Sequence, residues 1–82
     1  MNERLRVMIV DDETLIRSLI RMRVDWAALG MEIVAEAAGA GDALAMLEDV
    51  RPDIIFTDIC MPAIDGIEFS RMVIERNPSI RI

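Results

Sequence analysis

Apolar residues follow two spacings along this chain, and the alternation of the two predicts its architecture. The run from Leu5 to Val10 is short, rich in branched residues and bounded by charge, which is typical of a strand buried on both faces of a parallel sheet. The run from Ile54 to Thr57 has the same character and ends abruptly at Asp58. A weaker apolar segment, Ile33 to Ala37, predicts a strand between these two in the chain.

Helical spacing appears between the first two predicted strands. From Glu13 to Val24, apolar residues recur at a helical period with arginines between them, and they are Leu15, Ile16, Leu19, Ile20 and Met22. We expect one side of this wide stripe to pack on the core, with Leu15 and Leu19 on the exposed side. The sequence therefore predicts a helix that supplies both core packing and an apolar surface.

Two more helices are predicted further along the chain. The second opens at Asp42 after breaks at two glycines and ends near Arg51 and Pro52. The third opens at Asp65, which lies three residues before Glu68 at a capping-box spacing, and the residues that close it are Asn77 and Pro78. Residues 80–82 then resemble the opening of a fourth strand.

Strands and helices that alternate through short connections indicate right-handed βαβ units, and hence an α/β fold with a doubly wound parallel sheet. A length of 82 residues leaves room for no more than one domain. In open sheets of this kind, ligands bind beyond the carboxyl ends of the strands. The residues that directly follow the strands are therefore the first candidates for chemistry.

Composition narrows the classes of function. A formal net charge of −6 argues against nucleic-acid binding by this segment, because surfaces that bind nucleic acids are basic. A single cysteine, Cys60, excludes an internal disulfide, and the chain has no histidine, so zinc and thiol chemistry are not expected. The charged N-terminus is followed by no signal peptide and no apolar stretch of membrane-spanning length, which predicts a cytoplasmic protein.

Three aspartates follow predicted strands. Asp11 and Asp12 come directly after the first strand and Asp58 after the third, so neighbouring parallel strands would deliver three carboxylates to one edge of the sheet. Three like charges repel unless a hard cation neutralises them, and Mg²⁺ accepts carboxylates, water and phosphate oxygens. Taken singly, each aspartate is better explained as a helix cap or a strand end. Together they predict a Mg²⁺ site.

A carboxylate beside a metal can also attack phosphorus. The product is an aspartyl phosphate, and the metal offsets the charge of the incoming phosphoryl group. Asp58 fits the role of nucleophile better than the adjacent pair, which suits metal ligation.

Two segments of the sequence resemble the hallmark motifs of response-regulator receiver domains. They are Val10 to Glu13 and Asp58 to Gly66, about 46 residues apart. The resemblance implies a flavodoxin-like fold with strand order 2-1-3-4-5. It also implies Asp58 as phosphoacceptor, a sensor histidine kinase as phosphoryl donor, and helix one as part of the kinase-docking face. Mg²⁺ would be held by Asp11, Asp12, Asp58 and the backbone carbonyl of Cys60, whose thiol is then incidental.

A third segment, Asp25 to Gly30, is similar to one in receivers whose output is an AraC-type helix-turn-helix domain. The resemblance implies a transcriptional output domain outside these residues, and DNA contact only through it. Trp26 in this segment is equally explained as an anchor for the loop before the second strand.

The sequence departs from the family where a complete receiver continues. The threonine or serine that ends strand four and the lysine that ends strand five have no counterpart, and all nine basic residues are arginines. Residues 1–82 are thus expected to form the N-terminal portion of a receiver, with strands one to three, three helices and the start of strand four. We expect apolar surface on strands one and three to be exposed on at least one face. We also expect residues 1–82 by themselves to be either poorly folded or stabilised by self-association. The association would use pairing at the edge of strand three or exchange of elements between copies.

Three alternatives compete with a phosphoacceptor. The missing lysine favours a pseudo-receiver or protein-binding fragment that keeps the fold without the chemistry. A haloacid-dehalogenase-type phosphatase would need a second aspartate two residues after the first, where Cys60 stands. A flavodoxin would carry a hydroxyl-rich phosphate loop after strand one, where Asp11 and Asp12 stand instead.

Overall fold

Three parallel strands alternate with three helices in the computed structural model, which describes residues 4–57 and 66–82. The strands form one sheet in the order β2-β1-β3, which is the first part of the flavodoxin-like order, so the predicted fold class is confirmed. The elements are β1 (Leu5–Val10), α1 (Thr14–Arg23), β2 (Met31–Ala37), α2 (Ala40–Val50), β3 (Ile54–Thr57) and α3 (Gly66–Arg76).

Element bounds agree with the predictions most closely where apolar runs are bounded by charge. β1 and β3 have the predicted bounds, whereas β2 begins two residues earlier, at Met31. α2 begins at Ala40 rather than Asp42, which places the Asp42 carboxylate in the first turn, where it complements the positive end of the helix dipole. The predicted start of α3 at Asp65 lies outside the described residues.

The predicted fourth strand is represented by one parallel bridge between Ile54 and Arg81. The Arg81 N–H donates to Asp53 O (3.0 Å), and the Ile55 N–H donates to Arg81 O (2.8 Å). In the described part of the chain, β3 therefore has a full partner strand, β1, on one side and this short pairing on the other.

The central strand β1 is buried on both faces. Its last four residues are at most 1% exposed, as the continuous apolar run predicts for a strand covered on both sides. Met8 and Val10 face the larger core cluster, whose other largest members are Ile55, Phe69 and Val73. Val7 and Ile9 face the opposite side, where Trp26 covers them. The expectation of exposed apolar surface was therefore wrong for β1.

For β3 that expectation was correct. Phe56 is 43% exposed, although its ring makes an edge-to-face contact with Trp26 at a centroid distance of 5.4 Å. Trp26 O also accepts N–H bonds from Leu29 (3.1 Å) and Met31 (2.9 Å), so the predicted role of Trp26 as a loop anchor is confirmed. Trp26 thus packs the loop before β2 against β1 and β3.

Helix α1 presents two kinds of surface. Ile16 and Ile20 are half-buried, and Ile20 packs against the cluster around Val7 and Ile9. On the other side, Leu15 is 69% exposed and Leu19 is 39% exposed, which confirms the predicted division of the stripe. No helix in the described part of the chain is long and apolar enough to cross a membrane.

Candidate functional site

Asp11 is the first residue beyond β1, and three of its atoms are held. Its N–H extends the sheet ladder by donating to Ala37 O at the end of β2 (3.1 Å). Its Oδ1 accepts the Glu13 N–H (2.9 Å), and its carbonyl accepts from Arg17 in α1. The residue is only 8% exposed, so the turn after β1 fixes a buried carboxylate at the carboxyl edge of the sheet.

Arg17 ties this turn to the neighbouring strand. Besides the bond from its Nη1 to Asp11 O, its Nε lies 3.4 Å from Glu36 Oε1 on β2, and its Nη2 donates to Thr14 Oγ1 (3.3 Å). The second carboxylate oxygen of Glu36 pairs with Arg21, one turn further along α1. The side chains of Arg17 and Glu36 are 14% and 17% exposed, so they form a largely buried ion pair. The pair lies beside the turn that contains Asp11 and Asp12, called the acidic turn below.

Asp12 lies next to Asp11 but is exposed to solvent. Among the described residues, the ion pairs join Arg17 and Arg21 to Glu36 and Arg71 to Glu68, and none involves Asp11 or Asp12. Two adjacent carboxylates, one of them buried, thus form no ion pair with a described cationic side chain. That arrangement fits a hard cation such as Mg²⁺, which takes carboxylate oxygens and water as ligands.

The pairing of the strands shows where the strands that precede the predicted ligands end. Val10 pairs with Ala37 on one side and with Thr57 on the other, so the three strands end level with one another. Asp58 and Cys60, predicted as phosphoacceptor and carbonyl ligand, lie outside the described residues. Within residues 4–57 and 66–82, no group of three or more His, Cys, Asp or Glu residues could hold a metal ion by itself. The described part of the predicted site consists of Asp11 and Asp12.

An open groove of about 430 Å³ begins at Asp11 and runs between α1 and β3. Its remaining lining is mostly apolar, and it consists of Ile9, Val10, Glu13, Ile16, Ile20, Phe56 and Thr57. A larger cavity of about 700 Å³, lined in part by Arg51, Asp53 and Arg76, lies where α2 and α3 end and β3 begins. This cavity lies at the amino end of β3, whereas Asp11 and Asp12 follow the carboxyl end of β1, so the cavity is separate from the predicted Mg²⁺ site.

The sequence did not point to Arg17 and Glu36. A sequence signal existed in the single acidic residue near the end of an otherwise apolar strand segment and in an arginine within the helix that follows the acidic pair. Neither residue stands out without knowledge of how α1 packs on β2.

Residues 7–82 match the sequence model of a protein family, the response regulator receiver domain. The chain belongs to this family. The match covers every described element except the first two residues of β1. The predicted resemblance to response-regulator receivers is confirmed, and the chain is a receiver domain of the kind found in signalling proteins.

Three relatives illustrate the range of proteins that carry this domain. A two-component transcriptional regulator AraC from Clostridium phytofermentans superposes with a TM-score of 0.88 at 31% identity, over 94% of this chain and 60% of that one. A CheX-CheY-BeF3-Mg complex from Borrelia burgdorferi gives a TM-score of 0.73 at 27% identity, over 90% of this chain and 55% of that one. A protein-glutamate methylesterase/protein-glutamine glutaminase from Treponema denticola is 44% identical over 98% of this chain.

The chain spans about a fifth of the length of that methylesterase relative. The similarity therefore concerns the receiver domain alone. The predicted likeness to AraC-type response regulators agrees with the first of the three relatives.

Proposed function

We propose that this receiver accepts a phosphoryl group from a sensor histidine kinase on Asp58, with Mg²⁺ held by Asp11, Asp12, Asp58 and the backbone carbonyl of Cys60. The observation that carries this proposal is the level ending of β1 and β3. Val10 and Thr57 are paired across the sheet, and the next residue along β1 is the buried Asp11, whose carboxylate has no cationic partner in the described part of the chain. Asp58 is the next residue after Thr57 in the sequence.

The chemistry needs little from the protein beyond position and charge balance. A carboxylate oxygen of Asp58 bonds to phosphorus while the bond from phosphorus to the kinase histidine nitrogen breaks. The products are an aspartyl phosphate and an imidazole that takes up a proton from water. The step makes little demand on a general base, because catalysis of phosphoryl transfer rests mainly on positioning and charge neutralisation. When bound, Mg²⁺ would offset the charge on the carboxylates and on the phosphoryl oxygens.

Asp11 and Asp12 have different tasks in this scheme. Asp11 is rigid, since its N–H, carbonyl and Oδ1 are all hydrogen-bonded, and so it fixes where a cation sits relative to β1. Asp12 is exposed and free to contribute directly or through water. The Borrelia complex, which contains CheY and Mg²⁺, supports this proposal as a relative of the same fold.

The signal is proposed to reach a transcriptional output domain outside these residues. The AraC regulator among the relatives supports this, and so does the segment Asp25 to Gly30. DNA would be contacted through that output domain, because this chain carries a net charge of −6. We place the protein in the cytoplasm, and we propose no enzymatic role beyond gain and loss of the phosphoryl group at Asp58.

Loading with a small acyl phosphate tests the proposal. Intact mass spectrometry of the protein after incubation with acetyl phosphate should show one added phosphoryl group when Mg²⁺ is present and none after chelation. The Asp58→Asn variant should gain none under either condition. A pseudo-receiver would stay unmodified in the wild type as well, and this result would contradict the proposal.

A further inference from the structure

Hydrogen bonds and an ion pair close a ring around the acidic turn. Starting from Asp11, its N–H bonds to Ala37 O, the chain leads back one residue to Glu36, and Glu36 pairs with Arg17. Arg17 Nη1 then returns to the carbonyl of Asp11. The ring joins the ends of β1 and β2 through Arg17 of α1, and all of its side chains are at most 17% exposed.

The carbonyl that Arg17 holds belongs to the peptide group between the two proposed magnesium ligands. A peptide group is planar. Fixing the direction of Asp11 O therefore also fixes the direction of the Asp12 N–H and the position of the Asp12 Cα. The guanidinium contacts no carboxylate of the proposed site among the described residues, so it does not occupy a ligand position. Its neighbour Glu36 offsets its charge, which reduces its repulsion toward a cation.

We infer that Arg17 is a positioning residue for the magnesium site, that it acts by holding the Asp11–Asp12 peptide group, and that Glu36 anchors it. This inference rests on the proposed function. Residues that orient metal ligands without touching the metal typically affect affinity 10- to 100-fold. Arg17 suits this role because its planar fork can serve a carbonyl and a carboxylate at once, which an ammonium group cannot do with the same geometry.

Positioning and electrostatics predict opposite signs for loss of Arg17. Removing a positive charge near a cation site strengthens cation binding by Coulomb's law alone. Releasing the Asp11–Asp12 peptide group weakens it. Arg21 provides a matched control, because it lies on the same helix, carries the same charge and pairs with the same Glu36, but makes no described contact with Asp11.

Isothermal titration with MgCl₂ distinguishes the positioning effect from the electrostatic effect. It is carried out at a temperature where circular dichroism shows each variant folded. We expect Arg17→Met to weaken Mg²⁺ binding about 10-fold, the low end of the outer-shell range. Arg21→Met should stay within about twofold of wild type, as expected for an exposed charge screened by solvent. Arg17→Lys keeps the charge but has one donor nitrogen in place of the planar guanidinium, so it should bind Mg²⁺ more weakly than wild type and less weakly than Arg17→Met. Its weaker binding than wild type carries the test if Arg17→Met does not fold.

A metal-free readout accompanies the titration. Amide hydrogen exchange at Glu13, whose N–H bonds to Asp11 Oδ1, should be faster in Arg17→Met and unchanged in Arg21→Met. Mg²⁺ binding as tight in folded Arg17→Met as in wild type, or tighter, would overturn this inference and leave the proposed function standing. A wild type that binds no Mg²⁺ would overturn both.

Discussion

At the scale of single residues, the two adjacent aspartates after β1 have different surroundings and should respond differently to substitution. Asp11 is buried and accepts a backbone N–H bond from Glu13, so its loss removes a structural contact as well as a charge. Asp12 is exposed and makes no such bond among the described contacts. Its removal should therefore affect cation binding and leave the fold intact.

We expect Asp12→Ala to weaken Mg²⁺ binding by at least about 10-fold, because even outer-shell residues affect metal affinity by that factor. Its free energy of unfolding without metal should stay within about 0.5 kcal/mol of wild type, as is usual for surface substitutions. Asp11→Ala should lose affinity and also about 1 kcal/mol of stability, from the bond to the Glu13 N–H. Equal Mg²⁺ affinity in wild type and Asp12→Ala, measured by calorimetry, would refute the assignment of Asp12.

Residue identity and spacing were enough to predict Asp11 and Asp12 at the carboxyl edge of the sheet, but not the ring that holds them. The register shifts between Val7 and Met8, and this bulge in β2 places Ile33 and Glu36 opposite Val7 and Ile9, on the same face of the sheet. Strict alternation would put residues three apart on opposite faces. A bulge is therefore what brings Glu36 to Arg17, and nothing in the sequence pattern marked it.

At the scale of elements, bounds followed from the sequence where apolar runs end in charge, as in β1 and β3. The bounds were predicted wrongly where glycines were interpreted as breaks in a helix. Gly41 lies inside the first turn of α2, because Ala40 and Ala43 are buried against the core and this packing outweighs the low helix propensity of glycine. The division of α1 into a packed side and an exposed side was predicted correctly.

The exposed side of α1 is predicted to take part in kinase docking, and Leu15 is the residue to test. Because Leu15 is 69% exposed, Leu15→Ala should change the free energy of unfolding by no more than about 0.5 kcal/mol. It should slow phosphotransfer from the cognate kinase several-fold, through weaker binding. Ile67 on α3 is a matched control, since it is 71% exposed and lies on another helix, and Ile67→Ala should leave the rate unchanged.

An unchanged phosphotransfer rate in Leu15→Ala, at unchanged stability, would show that this face has no docking role. An equal loss of rate in Leu15→Ala and Ile67→Ala would point to a general effect of losing exposed apolar surface. Either result can be read from a time course of phosphoryl transfer with purified kinase.

At the scale of the whole molecule, the two sides of the sheet are covered unequally. The face toward α2 and α3 buries Ile55 and Phe69 completely, whereas the face toward α1 leaves Phe56 43% exposed at the border of the groove beside Asp11. Among the described residues, the outer side of β3 is bridged to Arg81 by one short pairing at Ile54. An exposed apolar face beside such a short edge pairing favours association between copies.

We expect a polypeptide of residues 1–82 to self-associate, so that light scattering gives a mass above the 9.2 kDa of one chain. Phe56→Ser should shift the distribution toward monomer, because it removes the exposed apolar ring beside that edge. Ile74→Ser is the control, since Ile74 is 48% exposed but lies on α3. A monodisperse, cooperatively melting monomer of wild type would contradict this prediction without bearing on the acidic site.

Peptide mapping determines which of the three aspartates accepts the phosphoryl group. The protein is incubated with acetyl phosphate and Mg²⁺, the acyl phosphate is trapped by borohydride reduction, and the modified peptide is sequenced by mass spectrometry. We expect modification at Asp58 alone, with Asp11 and Asp12 unmodified and no modified peptide from Asp58→Asn. Modification at Asp11 or Asp12 in the wild type, or modification that persists in Asp58→Asn, would contradict this expectation.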